Sequence, residues 1–277
     1  MDQAARPLGR VALLGGGVMG EAILAAALRA GVDVEDLAVS EPSARRATEL
    51  AERYGVRAAD GNAKVASRAD LVVVALKPKD VAGVLEEVGP ALRPGTVVVS
   101  VAAGLPIAFY EKRLPAGTPV VRVMPNTPAV VGQGAGAMSA GTSATPAHME
   151  AVGRLLAGTG LVLEVAEKDL DAVTAISGSG PAYVFYLVDA LAEAGVLLGL
   201  TREQASRLAL ATFRGSAALL EETGEHPVIL RERVSSPGGT TVAGLRELDA
   251  HGVRAAVLAA AEAARDRARA LAAELDG

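Results

Sequence analysis

Cysteine is absent from this chain, and with it go disulfides, thiolate metal sites and cysteine nucleophiles together. Histidine is scarce: His148, His226 and His251 are all there are, so a histidine-rich metal site is not expected. Aromatic residues make up 3% of the chain against 51% apolar residues overall. The core must therefore be built mainly from alanine, valine and leucine, which suits helices packed on a sheet or on one another. The same shortage removes the stacking platforms that nucleic-acid binders use, and a net charge of −5 gives no basic footprint for phosphate backbones. A nucleic-acid partner is not expected.

An export signal is missing as well. Met1–Arg10 has no apolar run ahead of a small-residue cleavage site, which makes the cytoplasm the expected location. The longest apolar stretch, Ala182–Leu200, carries Asp189 and Glu193 one helical turn apart, an arrangement that lipid would penalise. It reads as a buried helix, and no membrane partner is expected.

A chain of 277 residues has room for two domains with cores of their own. Between Arg10 and Ser139, short β-type runs alternate with helical patterns: Val11–Leu14, Leu37–Ser40, Leu71–Ala75, Val97–Val101, Val120–Val123 and Ala135–Ser139. Such alternation implies βαβ units and a largely parallel sheet. Leu71–Leu76 is continuously apolar, as a central strand covered on both faces should be. Helices are expected over Val18–Ala30, Ser43–Tyr54 and Lys79–Val88. After Leu161–Glu164 the β-type runs stop, and helical patterns follow over Leu170–Leu198, Arg202–Glu222 and Val253–Leu275. The expected division is thus an α/β Rossmann-type domain at 1–165 and an all-α domain at 166–277. The later helices are rich in alanine and apolar on more than one face, so they need cover on several sides. An intertwined homo-oligomer through this half is expected.

Gly15, Gly17 and Gly20 form a G-x-G-x-x-G pattern, Gly15-Gly16-Gly17-Val18-Met19-Gly20, directly after a β-branched strand and before a helical run. That context marks a dinucleotide phosphate loop: the first glycine for the turn, the second for approach of the pyrophosphate, the third for helix–strand packing. The adenosine ribose is read about 20 residues further on, at the end of the second strand. There stand Ser40, Glu41 and Ser43, followed by Arg45 and Arg46. The hydroxyls and arginines suit the 2′-phosphate of NADP, whereas Glu41 suits the 2′-hydroxyl of NAD. NADPH is the expected cofactor, with NADH as the alternative. Lys77, between a strand and Pro78, falls at a carboxyl end of the sheet, where cofactor contact is expected. In the helical half, Ser235–Thr241 precedes a helical run at Val242–Leu248, and free N–H groups there would suit a carboxylate.

Val234–Asp249, with Ala75–Pro78, Ser100–Gly104, Val123–Pro128 and Ser177–Tyr183, resembles the pyrroline-5-carboxylate reductase family over nearly the whole chain. The resemblance implies hydride transfer from NAD(P)H to the C=N carbon of Δ1-pyrroline-5-carboxylate, giving L-proline in the last step of proline synthesis. Carried over by position, Gly15, Gly16, Gly17, Val18, Met19 and Gly20 hold the pyrophosphate, with Ser40 and Glu41 by the ribose. Asn62, Ala75, Leu76, Lys77, Pro78, Val101, Ala102 and Ala103 line the rest of the cofactor cleft. Glu167, Ser236, Pro237, Gly238, Gly239, Thr240 and Thr241 hold substrate, with the Thr241 hydroxyl near the ring nitrogen as the candidate catalytic group. The family also implies a dimer that assembles further. Two departures bear on cofactor choice: Glu41 replaces a residue that is often a small hydroxyl, and Arg233 stands where some members have Asn.

The chemistry agrees with the residues. Reduction of a carbonyl needs an acid for the developing alkoxide, and Lys168, His226 and His251 stand in no recognisable acid/base setting. A cyclic imine can react already protonated, which leaves mainly positioning to the protein. A β-hydroxy-acid dehydrogenase is the enzymatic alternative, but Ser177–Tyr183 lacks the lysine that class uses. A catalytically silent NAD(P)-binding sensor is the other, against which stands the intact Val234–Asp249 segment.

Overall fold

In a computed structural model the described residues are 8–59 and 61–276. Most of Met1–Arg10, read above for an export signal, therefore lies outside them. In chain order the first part runs β1 (Val11–Leu14), α1 (Val18–Arg29), β2 (Leu37–Ser40), α2 (Ala44–Tyr54), β3 (Arg57–Ala59), α3 (Asn62–Ala66), β4 (Leu71–Val74) and α4 (Pro78–Val88). It continues with β5 (Val97–Ser100), α5 (Ile107–Glu111), β6 (Val120–Met124), β7 (Gly134–Ala140), α6 (Pro146–Leu156), β8 (Gly160–Glu164) and α7 (Leu170–Val173).

The eight strands form one sheet in the order β3-β2-β1-β4-β5-β6-β7-β8. Neighbours pair in parallel except β6 and β7, which are antiparallel. The link from β6 to β7 holds only a short 3₁₀ turn, Thr127–Val131, too little chain for a helical crossover. The order 3-2-1-4-5-6 is that of a doubly wound nucleotide fold, with its switch point between β1 and β4. The strands read as continuous apolar runs because both faces are covered. Val11, Leu13, Leu71 and Val73 join Ile23, Leu24 and Leu155 on one face. Ala12, Leu14, Val72 and Val74 join Val81, Leu85 and Tyr110 on the other.

By compactness the chain divides in two: one unit takes in the sequence up to Ser179 together with residues from Ala264 onward, and the other is Gly180–Ala263. The change of residue pattern near 165 precedes this division because the chain after β8 stays on the sheet unit. Leu170 and Ala175 are buried there. The single helix expected over Leu170–Leu198 is broken after α7 by a π-turn at Thr174–Gly178, in which Ser179 N–H donates to Thr174 O at 2.8 Å. Pro181 has no N–H for Ser177 O, and the Asn126 side chain donates to that carbonyl instead at 3.0 Å. Asn126 Oδ1 accepts from Ala135 N–H at 2.9 Å, so one nearly buried amide satisfies a carbonyl of the π-turn and an N–H at the start of β7.

The second unit carries α8 (Gly180–Leu197), α9 (Arg202–Thr223), α10 (Pro227–Arg233), α11 (Thr240–Ala250) and the start of α12 (Val253–Asp276). Helices α8 and α9 meet through Ala192, Ala205 and Ala209, small enough for close backbone approach. Thr201 and Gln204 close a reciprocal capping box at the start of α9. The expectation that Ala182–Leu200 is a buried helix is not met within one chain. Phe185, Tyr186 and Leu197 are 66%, 76% and 87% exposed, because α9 covers only one side of α8. The stretch Glu167–Leu197 is long and apolar enough to cross a membrane by composition, yet α8 carries Asp189 and Glu193.

Candidate functional site

The phosphate loop leaves β1 at the switch point. Gly15 N–H donates to Ser40 O at 2.8 Å and Ala75 N–H to Leu14 O at 2.9 Å, so the turn is pinned to β2 and β4 at once. Gly15 has φ +98°, and a Cβ there would lie 2.5 Å from Ala75 O. A Cβ on Gly20 would overlap the carbonyl oxygen of Gly15. Both glycines are thus required by the protein's own packing. Gly17 is different: a Cβ there would meet nothing within 4 Å. Its missing side chain leaves open space beside the N-terminus of α1, which has no side-chain cap among the described residues. That concavity fits a dinucleotide pyrophosphate.

At the ribose edge, Glu41 Oε2 accepts from Gly16 N–H and Oε1 from Ser43 N–H, both at 2.9 Å. Ser43 Oγ caps α2 through Arg46 N–H. Arg46, counted above toward NADP, is engaged elsewhere: its Nε donates to Gly16 O at 2.8 Å and its terminal nitrogens pair with Glu21 and Glu49. Arg53 and Tyr54 also donate to Glu21, at 2.6 and 2.9 Å. Burial pushes the Glu21 carboxyl up, but hydrogen bonds from Arg46, Tyr54 and Arg53 outweigh it and hold the group below its ordinary value.

Beyond β3, Asn62 opens α3 and its Nδ2 donates to Glu87 Oε2 at 2.7 Å, while Ala63 N–H donates to Oε1 at 3.2 Å. These bonds hold the Glu87 carboxyl low and tie α3 to α4. Ala75, Leu76, Lys77 and Pro78 follow β4, with Pro78 in the first turn of α4 and Lys77 exposed. Val101 and Ala102 are buried after β5, and Ala103 is exposed. The Ser100 hydroxyl supports this turn: it accepts from Ala102 N–H at 3.2 Å and bonds the Tyr110 hydroxyl. Burial raises the Tyr110 phenol to about 12, so it stays protonated.

A cavity of about 290 Å³ opens next to Pro78, Ala103, Arg122, Thr174 and Arg267. A larger one, about 610 Å³, lies at the amino ends of β1 to β4 among Arg10, Asp36, Arg57 and Lys64. In an open parallel sheet ligands bind at the carboxyl ends, so position and not volume marks the site. Glu167 Oε1 accepts from Ile107 N–H at 2.7 Å and from Arg122 Nη1 at 3.0 Å. One oxygen is thus engaged in structure, and its Oε2 has no partner among the described residues. Arg122 is buried in β6, where a lone cation needs this carboxylate.

In the second unit, Ser236 to Gly239 make a tight turn, with Gly239 N–H donating to Ser236 O at 2.9 Å and Gly238 at φ +68°. Pro237 and Gly238 are exposed, as is Thr240, whereas Thr241 is half-buried. Gly239 is the N-cap of α11 and, among the described residues, no side chain caps this end, so the first N–H groups of Thr240 and Thr241 suit an anion. Arg233 closes on Glu225, with Nη2 to Oε1 at 2.8 Å, and steadies α10. His226 caps the same helix by accepting from Val228 N–H at 3.3 Å. Glu167 and Ser236–Thr241 belong to different compact units.

Four residues escaped the sequence reading: Glu21, Ser100, Tyr110 and Arg122. Arg122 had a visible signal, a charge inside the apolar run Val120–Met124. Glu21, Ser100 and Tyr110 had none, because their partners lie 10 to 33 residues away.

Residues 167–271 match the family model described as pyrroline-5-carboxylate reductase dimerisation, and residues 10–104 that of NADP oxidoreductase coenzyme F420-dependent. A pyrroline-5-carboxylate reductase of Corynebacterium melassecola is 46% identical, over 94% of this chain and 98% of its own. The solved pyrroline-5-carboxylate reductase of Coxiella burnetii superposes with a TM-score of 0.91 at 34% identity, covering 95% of this chain and 98% of that one. The Plasmodium falciparum pyrroline carboxylate reductase, solved with NADP bound, gives 0.85 at 31% identity, again over 95% and 98%.

Proposed function

The chain belongs to the pyrroline-5-carboxylate reductase family, and from that premise we propose that it reduces Δ1-pyrroline-5-carboxylate to L-proline, completing proline synthesis. The observation that carries the cofactor half of this reading is the empty approach to Gly17 between two glycines fixed by packing. When bound, NADPH or NADH supplies the hydride. The chain's own groups bind and orient: the Gly15–Gly20 loop takes the pyrophosphate, and Ser40 and Glu41 flank the ribose. Asn62, Ala75–Pro78 and Val101–Ala103 line the cleft onward from there.

The substrate carboxylate goes to the uncapped start of α11, where Ser236 and the N–H groups of Thr240 and Thr241 receive it. Pro237, Gly238 and Gly239 give that turn its shape. Glu167 contributes Oε2, the oxygen that Arg122 and Ile107 leave open. The hydride adds to the C=N carbon, and the π electron pair moves to a nitrogen that already carries its proton. The product is a neutral amine, so no strong acid is required. Thr241 serves as an anchor, its hydroxyl oxygen accepting from the protonated ring N–H, since an unperturbed hydroxyl is a poor general acid. A homodimer or larger homo-oligomer through the Gly180–Ala263 unit is the assembly we propose, supported by the exposed apolar face of α8.

The test is pyrroline-5-carboxylate-dependent oxidation of NADPH and of NADH by the purified protein. Turnover with at least one is expected; none with either would sink the reading. Thr241→Val is expected to raise KM by about tenfold with a smaller change in kcat, as loss of one substrate hydrogen bond should. A collapse of kcat with KM unchanged would instead make Thr241 the proton donor.

A further inference from the structure

Two backbone N–H groups, those of Gly16 and Ser43, converge on the end of β2, and the carboxylate of Glu41 occupies both at 2.9 Å. Converging N–H groups form an anion cradle, and here the protein fills it with a side chain of its own. The place lies just past the last residue of β2, where the adenosine ribose of a dinucleotide is read. We propose that Glu41 sets the cofactor: it accepts the ribose 2′-hydroxyl of NADH and keeps the 2′-phosphate of NADPH out. This rests on the nicotinamide reading above.

A carboxylate has about four acceptor positions, and the two N–H groups use one on each oxygen, leaving capacity for ribose hydroxyls. A 2′-phosphate would meet that negative charge and find its cradle taken. The residues that point toward NADP each have another task. Arg46 is held by Glu21, Glu49 and Gly16 O. Ser40 is buried, and its carbonyl accepts from Gly15. Ser43 Oγ caps α2. Arg45 is exposed and faces Glu49 at 3.7 Å.

The experiment compares kcat/KM for NADH and NADPH in the wild type, Glu41→Ser and Glu41→Gln, alongside nicotinamide-fluorescence titrations without substrate. The wild type is expected to favour NADH by about tenfold or more, the worth of a hydrogen bond to a charged acceptor. Glu41→Ser is expected to move the NADPH/NADH ratio by about a hundredfold toward NADPH, since repulsion is lifted as the acceptor is lost. Glu41→Gln keeps the shape, removes the charge and should fall between; it serves as the test if the serine variant folds poorly. A wild-type preference for NADPH, or a ratio that neither substitution moves, overturns the proposal. Absence of turnover would count against the reductase reading alone, because the titrations still decide which cofactor Glu41 admits.

Discussion

Asn126 shows how much one side chain can carry. Its amide donates to the carbonyl that Pro181 cannot reach and accepts from the start of β7, in a nearly buried place. Asn126→Leu leaves both groups without partners, and a loss of about 2 to 6 kcal/mol is expected from denaturant unfolding, since each buried orphan is worth roughly 1 to 3. Tyr110→Phe removes only the hydroxyl on Ser100, and Ser100 keeps its bond from Ala102. A loss of about 1 kcal/mol is expected, with turnover changed little. The sequence held Asn126 only inside the Val123–Pro128 segment of the family resemblance and could not tell which groups it serves, because Ser177 and Ala135 come near it only in the fold. Gly20, whose packing partner Gly15 lies in the same loop, was legible.

The phosphate loop and its neighbouring helices separate two kinds of glycine. Gly20→Ala forces a Cβ onto Gly15 O and should destabilise the fold, whereas Gly17→Ala meets no protein atom and should leave stability unchanged. Titration with NADH or NADPH should show the second variant binding about tenfold more weakly, or worse, by intrusion on the pyrophosphate. Glu21 links α1 to α2, and its depressed carboxyl makes that link sensitive to acid. A carboxyl that ionises more readily when folded adds stability at pH values above its ordinary 4.5, and that contribution is lost as pH falls through the lower folded value. Glu21→Gln should therefore flatten part of the acid limb of a stability-against-pH curve and leave neutral pH dependence alone. Element types were legible wherever periodicity was long: the apolar strands β1, β4 and β5 are where alternation put them. β3 was missed because Arg57–Ala59 is three residues with no apolar run. The π-turn was missed because it goes with the Thr174 and Ser177 hydroxyls donating to Leu170 O and Val173 O and with the N–H that Pro181 lacks, none of which periodicity registers.

The two-part organisation was readable from the switch between β-type and helical patterns, while the assembly had to be inferred from helices too apolar for one chain to cover. One chain leaves helix α8 uncovered, with Phe185 and Tyr186 on the outside. Phe185→Glu is expected to shift sedimentation toward the monomer and to lower activity with it; an unchanged mass would place the interface elsewhere. The uncovered face of α8 also makes folding a matter of mass action. If the cover comes from another copy, the melting temperature rises with protomer concentration and association is part of the folding free energy. Every stability difference predicted for Asn126, Tyr110 or Glu21 then has meaning only at a stated concentration, and dilution acts on this protein as a denaturant.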